Sequence, residues 1–242
     1  MSVREVACVG VPRTLLVAEI VPRASPGAAP AVAIAAGVHG DEPAAPWALL
    51  AAVRDGLLDL RFAYRIWPCT NPSGYAAGTR RNAEDADINR SFGRGGETPE
   101  ARAIITSNRD RKFALTIDMH EDYEADGFYC YEPAVDETSF GTAIVRAVEE
   151  EGFAVQELHD AFELGYPPAA QELRTLHRGL VRPNVKAELA MSRKLPYSMY
   201  LLRRAAKRSL TLESPRRLAW DERVAIHRIA LVTALQRLRA SL

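Results

Sequence analysis

The chain has 242 residues, 48% of them hydrophobic and 26% charged, with a formal net charge of zero. That length buries a sizeable core, and the balance is ordinary for a soluble globular protein. With no basic surplus, neither nucleic acid nor an anionic membrane is an expected partner, and no apolar run approaches the ~20 residues of a membrane helix.

Residues 3–9 and 14–21 read as two short strands about the turn Gly10-Val11-Pro12, followed by the loop PRASPGAAP. The opening MSVREVACVG lacks an apolar stretch of signal-peptide length. Cys8, Cys69 and Cys130 lie far apart in apolar or strand-like contexts, with no CxxC spacing. Three buried free thiols in a reducing compartment follow as the expectation, hence a cytoplasmic location.

Residues 31–36 (AVAIAA) form a continuous apolar run bounded by Pro30 and Gly37, the pattern of a strand buried on both faces. Pro43 suits the first turn of a helix running to about Val53. The tetrapeptide HGDE, His39 to Glu42, therefore occupies the loop leaving a strand's carboxyl end, where open α/β sheets place their ligands. Further strands are expected at 62–67 (FAYRIW, ending at Pro68), 113–119 (FALTIDM), near 128–131, and at 208–212 (RSLTL). A helix is expected near 137–151. From Trp220 to Leu242 a second has apolar residues at Val224, Ala225, Ile229, Val232, Leu235 and Leu238, the stripe of a core-packing helix. The alternation predicts an α/β fold: one domain over residues 1–242, a mainly parallel mixed sheet, and helices on both faces.

Whether HGDE is a polar turn or a metal site depends on the other histidines. If His39 and Glu42 are ligands, a catalytic zinc site wants a third protein ligand. Of the five histidines, His120 directly follows the strand FALTIDM, in TIDMHEDYE. His159 and His177 lie in irregular polar stretches, and His227 lies inside the terminal helix, where a lone histidine is more often structural or exposed. A His–x–x–Glu alone is a weak signal.

The stretch NPSGYAAGTRRNAEDADINRSF, residues 71–92, adds specificity. Together HGDE, NPSG, RRNAEDADINRSF, DMHE and TLES, in that order, resemble the zinc carboxypeptidase superfamily. That includes its small bacterial members and the related succinylglutamate desuccinylase/aspartoacylase branch. Ile88 stands where the family usually has Leu. The matches span residues 37 to about 215.

The resemblance implies a zinc carboxypeptidase-like fold with one Zn²⁺ per chain, held by His39, Glu42 and His120. Asp87 would hydrogen-bond a metal-bound histidine, fixing its tautomer. Asn89 and Arg90 would grip the substrate's free carboxylate, for which the planar guanidinium is suited. Arg80 would polarise the scissile carbonyl, with Arg81 as its adjacent rival. The alternative for these arginines is a solvated loop with ion pairs to Glu84, Asp85 and Asp87. Glu213 would be the general base. Its rivals are Glu121, Asp122 and Glu172, and Glu121 points away if His120 faces the metal, because neighbours along a strand alternate sides. A tyrosine expected near the substrate could be Tyr166, Tyr197 or Tyr200. The Pro-broken entry of RKLPYSMYLL favours Tyr197, and half-buried packing is the alternative for all three.

The implied activity is zinc-dependent hydrolysis of an amide next to a free carboxylate, in a peptide or a murein-type peptide. The alternatives are an N-acyl-amino-acid deacylase of the desuccinylase/aspartoacylase type, or a non-catalytic zinc-binding homologue. The cluster Asp122, Glu124 and Asp126 would suit a cationic side chain, although such a run is usually just solvated.

Overall fold

The computed structural model describes residues 1–22, 29–93, 97–133, 138–158, 174–186 and 194–242. These contain a sheet in the order β1-β2-β4-β3-β5-β9-β6-β8-β7. The strands are β1 (Ser2–Ala7), β2 (Thr14–Ile20), β3 (Ala31–Ala36), β4 (Ala63–Trp67), β5 (Leu115–Asp122), β6 (Tyr129–Tyr131), β7 (Arg174–His177), β8 (Leu180–Pro183) and β9 (Ser209–Pro215). The centre, β4-β3-β5-β9, is parallel throughout. The β1-β2 hairpin joins β4 antiparallel on one side, and β6 joins β9 antiparallel on the other. The mixed sheet with a parallel core is thus as expected.

The central strands alternate strictly. Val32, Ile34, Ala36, Leu115, Ile117, Met119, Leu210 and Leu212 enter one apolar cluster, covered by α1 (Ala44–Arg54), α4 (Gly141–Glu150) and the long terminal helix α6 (Trp220–Ala240). Ala33, Ala35 and Trp67 face the opposite side, with α3 (Pro99–Ser107) and α5 (Tyr197–Arg204). Helices therefore cover both faces, as an apolar strand buried on each side requires.

Two strand ends differ from expectation. β5 runs to Asp122 and β9 to Pro215, so His120 and Glu213 lie within the ladder. Continuous pairing from Thr116–Ser209 to Asp122–Pro215 carries both strands through polar residues that composition alone would end them on. The terminal helix is also rotated relative to its apolar letters. Its buried stripe is Arg223, Ile226, His227, Ala230, Leu231, Ala234, Leu235 and Leu238, with Val224 and Ile229 only partly covered. Arg223 and His227 can enter that stripe because each finds a buried polar partner, Glu121 and Ser214 respectively.

A short helix, α2 (Pro72–Ala77), and a 3-10 turn at Ile88–Arg90 follow β4 at the carboxyl end of the sheet. Gly40 and Gly74 let the HGDE turn and α2 meet backbone to backbone. A Cβ on Gly40 would lie 1.9 Å from the Gly74 carbonyl carbon. Cys8 and Cys130 are buried free thiols, and Cys69 is half-buried. No helix among the described residues is long and apolar enough to cross a membrane.

Candidate metal centre

Three elements bring the polar residues together. His39 and Glu42 sit in the turn between β3 and α1, and both are buried. His120 stands on β5, on the face that carries Thr116 and Asp118. Glu213 is its register partner on β9, so two strands place the two side chains side by side. The turn is tied down from β5, where the Glu121 backbone N–H donates to Glu42 Oε2 at 3.1 Å.

Glu42 is the hub. Its Oε1 lies 2.5 Å from His39 Nδ1, and its Oε2 lies 2.9 Å from His120 Nδ1. Donor atoms of His39, Glu42 and His120 all fall within 4.8 Å of one another, the one such grouping among the described residues. Both rings turn their Nε2 atoms towards other carboxylates. His39 Nε2 is 3.5 Å from Asp87 Oδ1, and His120 Nε2 is 3.1 Å from Asp118 Oδ2. A carboxylate on the Nε2 side favours a proton on that nitrogen when a cation takes the Nδ1 lone pair. Two such lone pairs converging on a carboxylate fit a divalent metal, and two histidines with a glutamate suit zinc.

The electrostatics agree. Burial pushes the Glu42 carboxyl up, but His39 and His120 outweigh it and hold the group well below the usual carboxylate range. Burial lowers His120, yet Asp118, Glu42 and Glu213 together raise it well above an ordinary histidine. Burial likewise works against ionisation of Asp87, which His39, Arg80 and Arg90 overcome. Glu213 goes the other way. Burial, reinforced by Glu42, Asp122 and Asp118 and opposed by His120, pushes it up to about 8.

The expected substrate residues divide. Arg80, 47% exposed, reaches into the centre. Its Nη1 is 3.2 Å from His39 Nδ1, and its Nη2 donates to Asp87 Oδ2 at 3.3 Å. Arg81 instead pairs with Asp85 in solvent, as an ordinary surface ion pair would. Arg90 is exposed, and its Nη1 donates to the carbonyl of Asn89 at 3.1 Å. Asn89 is buried. Its Nδ2 lies 3.4 Å from His120 Nε2, and its Oδ1 accepts from the Tyr197 N–H at 2.9 Å.

Tyr197 departs from the expected substrate-side placement. Its side chain is 1% exposed and packs edge-on against Phe92 at a centroid distance of 5.4 Å, in the core beneath α5. The Pro196 break starts a helix there rather than a flap. Tyr200 also packs on Phe92, at 6.0 Å, while Tyr166, Glu172 and His159 lie outside the described residues. His177 is exposed at the end of β7.

Glu121 faces the opposite side, as alternation predicts. It accepts from the Ala44 N–H at 2.6 Å and pairs with Arg223. Asp122 accepts from the Tyr129 hydroxyl at 2.6 Å. Sequence reasoning passed over Asp118. The same two-residue alternation that turns Glu121 away puts Asp118 on His120's side, so the signal was available in the DMH of TIDMHED.

Residues 28–150 match the family model of the succinylglutamate desuccinylase/aspartoacylase catalytic domain. The fold is similar to that of a candidate metallopeptidase of Shewanella denitrificans OS217, at 21% identity and a TM-score of 0.73, covering 97% of this chain and 84% of that one. It is also similar to a metallo-carboxypeptidase of Burkholderia cenocepacia, at 20% identity and TM-score 0.69, covering 100% of this chain and 66% of that one. A third similar structure is the cell shape determinant protein Csd4 of Helicobacter pylori in its apo form, at 15% identity and TM-score 0.65, covering 92% of this chain and 54% of that one. At these identities the likeness is one of fold. No curated protein matches the chain.

Proposed function

We propose, from the premise that the chain belongs to the succinylglutamate desuccinylase/aspartoacylase catalytic-domain family, that it is a zinc-dependent hydrolase of an amide bond beside a free carboxylate. In this reading the whole chain is one catalytic domain, acting in the cytoplasm on a peptide's carboxyl end. The observation that carries it is the convergence of His39, Glu42 and His120 with Glu213 in register beside them.

His39, Glu42 and His120 would hold the metal, which when bound supplies Lewis acidity and lowers the pKa of a water. Glu213 takes a proton from the attacking water and delivers it to the leaving nitrogen. A carboxyl raised to about 8 suits a group that must accept and return a proton near neutrality. Arg80, half in solvent and half in the centre, donates to the oxyanion as the carbonyl becomes tetrahedral. Arg90 is exposed, and its fork receives the substrate's carboxylate. Asn89, held beside His120 by the Tyr197 N–H, orients the substrate.

A second reading, an N-acyl-amino-acid deacylase, uses the same residues and is favoured by the family match. The test is a panel of free-carboxylate peptides and N-acyl amino acids offered to zinc-loaded protein, wild type and Glu213→Gln. Hydrolysis of either class, falling by about 10²- to 10⁴-fold in the variant while zinc stays bound, is the expected result. Equal hydrolysis by the two proteins would remove Glu213 from the mechanism. No hydrolysis by zinc-loaded wild type would leave a metal-binding homologue.

A further inference from the structure

Arg80, Asp87, Asn89 and Arg90 all sit on the segment 79–90, much of which is exposed to solvent. Something must fix it over the metal ligands. Asn82, which is buried, accepts from the backbone N–H of Glu84 at 3.2 Å and of Ala86 at 2.9 Å. It thereby folds the chain through Asp85, a non-glycine residue at φ +54°. Asn82 Nδ2 in turn donates to Glu100 Oε2 at 3.1 Å.

Glu100 lies in the first turn of α3 and is fully buried. Its Oε1 accepts from Arg13 Nη1 at 2.6 Å. Arg13 belongs to the turn between β1 and β2, 87 residues from Glu100 in sequence. Its Nη1 also donates to Ser73 Oγ on α2 at 3.0 Å, and its Nη2 pairs with the Glu84 carboxylate. Ser73 Oγ closes the ring by accepting from the Ala83 N–H at 3.1 Å.

We infer that the Arg13–Glu100 pair is a positioning device for the segment 79–90, setting where Arg80 and Asn89–Arg90 stand over His39 and His120. The inference rests on the substrate roles proposed above for those residues. A buried ion pair is weak as a source of stability. This one is the node where the hairpin turn, α3, α2 and the segment meet, and among the described residues no hydrogen bond or ion pair joins Arg13, Glu100 or Asn82 to His39, Glu42 or His120. These residues act only through the segment.

The experiment compares wild type, Arg13→Ala, Arg13→Lys and the near-isosteric Glu100→Gln, which guards against a variant that fails to fold. Amide hydrogen exchange is read first, in metal-loaded protein. The amides of Ala83, Glu84 and Ala86 should exchange about tenfold faster in Arg13→Ala and Glu100→Gln, with β5 and β9 unchanged and Arg13→Lys in between. On any substrate hydrolysed, KM should rise about tenfold as Asn89 and Arg90 loosen, and kcat should fall about tenfold as Arg80 loosens with them. Folded variants with unchanged loop exchange would overturn the inference, as would faster loop exchange with kcat and KM both within about threefold of wild type. If wild type hydrolyses nothing, the proposed function fails on its own, and exchange alone decides the positioning claim.

Discussion

His120 and His227 are both buried and approach the same pair of strand ends from opposite faces of the sheet. His120 stands among carboxylates, Glu42 at 2.9 Å and Asp118 at 3.1 Å, and is raised far above an ordinary histidine although burial opposes its charge. His227 projects from α6 and meets one hydroxyl, Ser214 Oγ at 3.0 Å. Burial, with a smaller contribution from His120, pushes it down to about 3. Two imidazoles of equal burial therefore have opposite chemistry. What separates the two environments is the number of carboxylates in reach.

The contrast can be broken most sharply through metal content. His120→Ala should lower zinc from about one per chain to none, while His227→Leu keeps it, as read by elemental analysis after loading and dialysis. Loss of zinc from both, in folded protein, would mean that the two faces are not independent. A smaller effect is expected from weakening one carboxylate. Asp118→Asn should reduce zinc affinity about 10- to 100-fold in chelator competition, and unchanged affinity would demote Asp118 to packing.

The third prediction concerns pH. Because the folded-state pKa of His227 lies below its ordinary 6.5, the unfolded chain takes up the proton first as pH falls. His227 therefore opposes folding increasingly from about 6.5 down to about 3, and not above that window. In His227→Leu the acid limb of the denaturation midpoint should flatten across this range. A limb parallel to wild type would count against the assignment. The smallest effect belongs to Tyr197→Phe, expected to change kcat and KM less than about threefold, since the ring is in the core. A tenfold fall in kcat would return Tyr197 to the substrate.

The same contrast marks what was legible in the chain. HGDE and DMHE stand out as candidate ligands because each follows a continuous apolar strand, and the strands AVAIAA and FALTIDM place them at the sheet's carboxyl end. Glu213 was legible through the strand SLTLES, although the ladder with β5 carries that strand past it. The orientation of α6 was not legible. Its letters suggest a stripe through Val224 and Ile229, and only tertiary partners for Arg223 and His227 explain the rotation. Nor was α3, whose cap at Thr98 and Pro99 is clear locally but whose apolar face is short. Tyr197 was misdirected by a real signal, since a proline before a polar-aromatic run marks a helix start as well as a flap.

The unbroken parallel register of β5 with β9 has a consequence for how the chain tolerates changes of length. His120 faces Glu213 only because both strands keep count from Thr116 and Ser209 onward. One residue inserted in β9 after Ser209, with the upstream pairing held, would turn Glu213 towards α6 and set Leu212 beside His120. Between the two strands lie β6, β7 and β8, whose ladders keep a count of their own, with Tyr129 paired to Glu213 itself. Changes of length are therefore tolerated only outside these paired residues, and β5 and β9 admit none.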